Sequence, residues 1–481
     1  MIPTCGPRQR ASCRLPALLA LAAVLALATL LVAPASGFGA DPAHGRPFPL
    51  EIPAERLTAD FWIGRAAGCE QVLLTPPTVA GQNGRVIAAG PGLHDPAALP
   101  ARLPRAMVTH LVEGLAAGNR ARPVIDGAEA AAADLTATLA LDRIPAEVTP
   151  RYALAVRRAD LRTFPSAARG RLKPGDTDID RYQESALFPG TAVAVLHESR
   201  DGLWAFVMAP LYAAWVATDA LAVGERKTVF DYAATASRVV TGPAVRTVHA
   251  PLAPPLSEIV LDMGVAVPEV TDWPLTTPVN GQGALGALVV RLPTRAADGT
   301  LAVQPALLPR GADTHDGPLP VSRANLLRQA FKFVGERYCW GHGGSGRDCS
   351  GFVAECHRSL GLVLPRNSKD QAACTASFRR TVIPGTADRD QRLAALADLA
   401  PGDLIHVPGH VMMVVGADEL GPWIIHDSHA ATVRGPDGKA LRLPTNSVVV
   451  CPLEPLLRDD GASLIDSITV LQRYLPGAPL P

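Results

Sequence analysis

Y-C-W-G-H-G-G-S-G-R-D-C-S-G-F-V-A-E-C, residues 338–356, runs from a glycine-loaded segment into an apolar one. Two cysteines stand seven apart, and the first lies between an acid and a Ser-Gly pair. With Asp348 as N-cap, Cys349 opens a helix that carries Phe352, Val353, Cys356 and Leu360 on one side and ends at Gly361. Unpaired N–H groups and the positive end of the helix dipole favour a thiolate at that position. The same N–H groups can hold an oxyanion formed by attack on a carbonyl. The preceding glycines let a substrate backbone approach closely. Cys356 falls on the apolar side and reads as core.

A nucleophilic cysteine needs a base. G-D-L-I-H-V-P-G-H-V-M-M-V-V-G at 402–416 and P-W-I-I-H-D-S-H at 422–429 supply histidines. Leu404–Val407, Val411–Val415 and Trp423–His426 read as strands, the last two joined by the turn D-E-L-G-P at 418–422. In such a hairpin His410 and His426 are near-opposite neighbours on one face. That arrangement suits His410 as base and His426 as the group that holds its ring in the needed tautomer. His406, cut off by Pro408, and His429 read as bystanders. The residues alone leave other readings open. Cys349 could be structural, or Cys349, His410 and His426 could bind zinc, although the short-spaced ligand pair of most such sites is missing.

Moving outward, Ser322–Gly335 reads as a helix with Ser322 as N-cap and Leu326, Leu327, Ala330, Phe331 and Val334 on its apolar face. Helices followed by strands make the last third, 316–481, an α+β unit. Upstream, Tyr152–Arg157, Ala192–His197, Trp204–Met208 and Ala213–Val216 are short strands between turn signals, among them K-P-G-D at 173–176. This spacing predicts a small barrel over 146–220. Thr228–Tyr232, Ala244–His249, Ala287–Leu292 and 298–303 read as strands of a second barrel over 221–315. Residues 41–145 read as mainly helical, with helices over Ala106–Leu115 and Ala128–Leu141. Asp60, Trp62 and Arg65 there read as packing and salt-bridge residues.

The totals bound the function. The chain has 481 residues, 48% hydrophobic and 19% charged, which is the content of a folded multi-domain protein. Its 45 prolines favour turns and short elements. Lys+Arg and Asp+Glu are equal at 45 each, so no positive field exists to hold nucleic acid. Arg8, Arg10 and Arg14 precede an apolar run from Leu15 to Val32, and small residues follow. This is a secretory signal pattern over residues 1–40, with an uncleaved membrane anchor as the rival reading. After cleavage no stable membrane insertion is expected. Eight cysteines then become six: Cys69, Cys339, Cys349, Cys356, Cys374 and Cys451. An oxidising compartment permits disulfides, and no CxxC supports a zinc ribbon. No cofactor is implied.

The last third resembles the NlpC/P60 family of papain-like cell-wall peptidases. The residues that carry the likeness are Y-C-W-G at 338–341, R-D-C-S-G-F-V at 347–353, L-P-R-N-S-K-D-Q at 364–371, P-G-D-L-I at 401–405, G-H-V-M-M-V-V-G at 409–416 and I-I-H at 424–426. Segments at 155–166, 179–190 and 197–207 resemble the bacterial SH3-type domain of multi-domain members, and F-W-I-G-R at 61–65 resembles part of their N-terminal stabilising segment. The resemblance implies an α+β chain: a papain-like NlpC/P60 domain at 316–481 preceded by two small SH3-like β-barrels and a mainly helical N-terminal segment. It implies that Cys349 attacks the γ-D-Glu to diamino acid bond of a peptidoglycan stem peptide, with His410 as base and His426 orienting it. Tyr338 would lie near the oxyanion. Asp348 and Ser350 would bind a free N-terminal L-Ala amine, with Glu184 or Tyr182 on the barrel side of the cleft. Its partners would be muropeptide fragments outside the cytoplasm. His342 and Cys339 stand where the family commonly has glycine, which puts loop shape and fine specificity in question. Competing readings are an amidase or acyltransferase on another wall or lipid substrate, and a wall-binding protein with no activity.

Overall fold

The apolar runs at 151–224 become strands because both of their faces are covered. The computed structural model of the protein describes residues 51–118, 124–125, 132–172, 178–376, 378–435 and 437–474. The expected leader at 1–40 and the turn at 173–176 lie outside the described residues. No helix among the described residues is long and apolar enough to cross a membrane.

Seven strands, β1 (Arg151–Ala155), β2 (Ala159–Arg162), β3 (Gln183–Leu187), β4 (Ala192–Glu198), β5 (Trp204–Met208), β6 (Ala213–Ala217) and β7 (Leu221–Gly224), form one antiparallel sheet in the order β7-β1-β4-β5-β6-β2-β3. Side chains alternate between its faces. Ala153, Val193, Ala205 and Ala214 line one face, small enough for a tightly coiled sheet to close over them. Ala194, Phe206 and Trp215 line the other. That second face is roofed by a helix at Arg105–Ala117, through Val108, Val112 and Ala116. The sequence therefore shows near-continuous apolar runs rather than alternation. The expected helix over Ala128–Leu141 is described from Ala132 and runs Ala132–Thr138.

The next stretch departs from expectation. Thr228–Tyr232, read as a strand, lies in a helix, Arg226–Ala234. Val229 and Tyr232 are buried at helical spacing, and Lys227 pairs with Asp231 four residues on. A period of three to four residues, not two, is what the segment carries. The strands that follow make three small antiparallel sheets: Ala266–Val267 with Arg238–Val240 and Thr314–Asp316, Ala244–Arg246 with Val260–Asp262, and Ala287–Arg295 with Leu301–Pro309. Val240, Leu261, Val290 and Leu308 form their shared core.

The last third is α+β. Helix α1 (Arg323–Phe331) is capped by Ser322, whose hydroxyl accepts from the Asn325 N–H. Helix α2 (Cys349–Ser359) is capped by Asp348. Strands β8 (Arg379–Val382), β9 (Leu404–Val407), β10 (His410–Asp418), β11 (Gly421–Ser428), β12 (Ser447–Pro452) and β13 (Val470–Arg473) form an antiparallel sheet in the order β8-β13-β9-β10-β11-β12. Phe352, Val353 and Cys356 of α2 pack on Val411, Met413 and Ile425 of this sheet. The N-terminal segment clamps the same unit. Trp62 is 1% exposed and lies 5.4 Å from Trp423, ring centre to ring centre. Gly416 accommodates it, since a Cβ there would stand 2.7 Å from the indole.

A buried ionic network ties these parts together. Arg347, just before the helix cap, donates to Glu355 (2.5 Å), to Glu336 and to the Pro243 carbonyl (2.7 Å). Arg158, from the turn between β1 and β2, pairs with Asp262 and donates to the carbonyls of His342 and Gly346, both at 2.7 Å. Asp262 also lies 3.3 Å from Arg347. Breaking a buried ion pair by deleting one partner typically costs about 3–5 kcal/mol, because the other charge stays behind unpaired. Arg347→Ala should lower stability by about that amount, read from the denaturation midpoint. A loss below about 1 kcal/mol, the range of a surface pair, would contradict the role given to this network.

Candidate active site

The loop before α2 is held in a conformation few side chains tolerate. Gly341, His342, Gly344 and Ser345 all have positive φ, at 61°, 59°, 56° and 66°. Gly341 must be glycine, since a Cβ would stand 2.6 Å from the Gln183 carbonyl oxygen. His342 has no such excuse, and its ring shows what compensates. It is 3% exposed, lies flat against Gly351 of α2, and puts Nε2 3.1 Å from Glu355 Oε1. Burial holds this imidazole down at about 4, so it is neutral.

The loop delivers Cys349 to the floor of a cleft of about 920 Å³. Tyr338, His410, His426, Asp427 and His429 line the same end of that cleft. His410 opens β10 and His426 sits on β11. The register there pairs Met413 with Ile425 and Val414 with Ile424, so the two histidines are diagonal neighbours on one face. His410 Nε2 and His426 Nδ1 are 2.8 Å apart. His429, read as a bystander, is in fact at the rim, 3.0 Å from Asp178 Oδ2 and edge-on to Tyr338. His406 is a bystander, buried against Gln472 Oε1 at 2.9 Å.

Three expected substrate-binding residues do not line this cleft. Asp348 accepts from the Gly351 N–H (2.9 Å), the Gly341 N–H (3.0 Å), Ser350 Oγ (3.2 Å) and both terminal nitrogens of Arg366 (3.0 and 2.8 Å). A carboxylate offers about four acceptor sites, so none is left for a substrate amine. Ser350 is 4% exposed and shares Arg366. Glu184 is only partly buried, and it accepts from Thr163 Oγ1 and from Tyr212 Oη (2.7 Å). Tyr182 packs in the sheet core, edge-on to Phe164. Arg366 and Tyr212 were missed in the sequence. Arg366 stands inside the quoted L-P-R-N-S motif, but nothing local says that its partner is eighteen residues back.

The segment leading into β3 meets the rim of the cleft at His429 and grips the loop before α2. Asp178 accepts from Arg337 and from Asn446 Nδ2, each at 2.7 Å. Arg181 lies over the Trp340 ring at 4.2 Å, and Gln183 Nε2 donates to the Gly341 carbonyl at 3.0 Å.

Charge states follow from burial. Burial opposes ionisation of Asp348, but the Arg366 guanidinium outweighs it and holds the carboxyl down at about 2. Burial pushes the Cys349 thiol up to about 12, the Asp348 charge adds to this, and a hydrogen bond from the Val411 backbone opposes it. Burial lowers His410 to about 4. The thiolate expected from the helix end is therefore offset by the dry site and the adjacent carboxylate, and the resting pair is thiol and neutral imidazole. Asp427, 1% exposed, has an oxygen with no hydrogen-bond partner among the described residues, and burial pushes it up to about 8.

Comparison with known proteins agrees with this architecture. Residues 335–442 match the NlpC/P60 family and residues 171–217 match the SH3 domain of SH3b1 type. The fold is similar to that of an NlpC/P60 endopeptidase from Photobacterium damselae subsp. piscicida, at 15% identity and a TM-score of 0.70, over 90% of this chain and 99% of that one. An NlpC/P60 family protein from Bacillus cereus ATCC 10987 overlaps at 19% identity and a TM-score of 0.44, over 68% of this chain and 100% of that one. No curated protein sequence matches the chain. The chain thus carries an NlpC/P60 family domain, papain-like in fold, behind an SH3 domain.

A neutral resting pair has a kinetic signature. Alkylation of Cys349 by iodoacetamide, followed by mass analysis of its peptide, should accelerate steadily from pH 6 to pH 9, because the thiol lies far above that window and His410 below it. A flat rate across the window would mean a preformed thiolate–imidazolium pair instead.

Proposed function

We propose that the protein is a cysteine endopeptidase that hydrolyses the γ-D-Glu to diamino acid bond of peptidoglycan stem peptides carrying a free N-terminal L-Ala. The observation that carries this reading is the 2.8 Å contact between His410 and His426 in the cleft that has Cys349 at its floor. Cys349 Sγ attacks the γ-carbonyl carbon as His410 Nδ1 takes the thiol proton. The oxyanion is met by the Cys349 N–H at the helix end and by Tyr338, whose hydroxyl burial keeps protonated and able to donate. Collapse of the tetrahedral species breaks the C–N bond, and His410 returns its proton to the leaving amine. Water, activated by the same imidazole, then cleaves the thioester.

The segment at 178–183, which meets the rim at His429, narrows the approach, which favours short turnover fragments over intact sacculi. Asp348 is committed to Arg366, and Glu184 lies off the cleft, bonded to Thr163 and Tyr212. The basic and apolar segment at 8–32 supports action outside the cytoplasm.

Purified protein incubated with L-Ala-γ-D-Glu-diaminopimelate should release diaminopimelate, with intact sacculi as the parallel substrate. Cys349→Ala should lose activity on the order of 10³-fold or more, as removal of a nucleophile does. Equal cleavage by that variant would sink the mechanism.

A further inference from the structure

At the rim of the cleft one histidine differs from the other two. Burial keeps His410 and His426 neutral. The His429 side chain is 33% exposed and lines the same end of the cleft. Its Nε2 lies 3.0 Å from Asp178 Oδ2, and its ring stands edge-on to Tyr338. Burial opposes ionisation of Asp178, but hydrogen bonds from Arg337, His429 and Asn446 outweigh it and keep the carboxyl ionised. An ionised carboxylate can only accept, so Nε2 of His429 carries a proton. Nδ1 has no hydrogen-bond partner among the described residues. A second proton there makes the ring a cation with an unused donor.

We propose that His429 is a specificity-determining residue: as an imidazolium backed by Asp178, it binds a substrate carboxylate that flanks the scissile bond. This rests on the reading of the substrate as a γ-D-Glu-linked stem peptide. In such a peptide D-Glu is joined through its γ-carbonyl and keeps its α-carboxylate, four bonds from the scissile carbon. The diamino acid is joined through its α-amine and keeps its own carboxylate, three bonds away. At about 1.5 Å per bond, both fall within reach of a group beside Tyr338, the oxyanion donor.

That carboxylate needs a counter-charge. Asp348 is itself an anion, already matched by Arg366. Asp427 is a buried carboxyl with an unpartnered oxygen. An anion brought into a site with little water and no cation loses more hydration than neutral hydrogen bonds return. The arginines that line the cleft have other places. Arg392 donates to the Ala387, Pro384 and Ile468 carbonyls, and Arg458 pairs with Asp460 at 2.7 Å. Arg442 stands on the strand Ala440–Leu443, opposite Thr432. His429 is the residue beside Tyr338 that can carry the charge, and Asp178 holds its ring through Nε2.

The imidazolium is the low-pH form, so the carboxylate should bind less well as pH rises and Nδ1 loses its proton. Of the groups that face the ring, Asp178 stays ionised with Arg337 paired to it, and Tyr338 stays protonated. Asp427, which burial pushes up to about 8, is the other group at this end that changes charge.

The test is calorimetric binding to full-length Cys349→Ala, which removes turnover. Its ligands are L-Ala-γ-D-Glu-diaminopimelate, the same peptide amidated at the D-Glu α-carboxylate, and the same peptide amidated at the diaminopimelate carboxylate beside the scissile bond. At about pH 5.5 the diacid should bind about tenfold more tightly than one of the amides, as loss of one charge-assisted contact predicts. The amide that binds weakly identifies the carboxylate. The preference should shrink toward about pH 8.5. Adding His429→Gln, which can still donate to Asp178 but cannot be charged, should bring the preference to about twofold or less at both pH values. Equal binding of the diacid and both amides to Cys349→Ala would overturn the proposal, and needs no change at the rim. A preference that survives His429→Gln, or that is lost instead in Arg442→Gln, would overturn it equally. A pH dependence that survives His429→Gln would pass the role to Asp427 and overturn it too. Failure of the functional reading is a separate result, seen when wild type leaves uncut the peptides that Cys349→Ala binds.

Discussion

Arg347 is the point from which the rest of the site takes its position. It is the residue before the cap of α2, and its guanidinium is shared among Glu355 on that helix, Glu336 before the loop, and the Pro243 carbonyl and Asp262 from the middle of the chain. Arg158 brings the first sheet into the same network through Asp262 and the loop carbonyls. Such networks contribute little net stability, because desolvation of the charges offsets their attraction. Their effect here is geometric. Each charge has a directional partner on a different element, so the loop, the helix end and the two upstream regions have one mutual arrangement in which all are satisfied.

The site within this frame is dry, and its chemistry follows from that. Water would stabilise a thiolate and an imidazolium; burial withdraws that help from both. The Cys349 thiol is therefore not stored as an ion. The cost of burying Asp348 beside the thiol is offset by Arg366, which neutralises the carboxylate and fixes the cap. His342 extends the same logic one layer deeper, a neutral ring in a strained backbone position, retained because Glu355 and Gly351 enclose it.

Much of this was legible in the sequence. The cap at Asp348, the helix ending at Gly361, the cap at Ser322 and the hairpin that brings His410 to His426 all depend on local rules of spacing and turn chemistry, and those rules operate within about fifteen residues. The strands of the first barrel were visible for the same reason. One miss was a matter of period and the others were non-local. Thr228–Tyr232 looks β-prone by residue type, but Val229 and Tyr232 bury one helical face. Asp348 was given a substrate to bind because Arg366, its actual partner, cannot be found by spacing. His429 gained a place at the rim through Asp178, which comes from a bend two hundred and fifty-one residues away.

One loop serves two masters. Residues 338–346 shape the backbone that presents Cys349, and the same residues are gripped by Arg181 and Gln183 from the SH3 part. The SH3 part and the part that presents Cys349 are therefore not separate modules. In the lineage of such a protein, drift in Arg181 or Gln183 would be felt as a loss of turnover before it could be tried as a change of diet. A change at either residue of the gripping pair would move the backbone that carries Cys349.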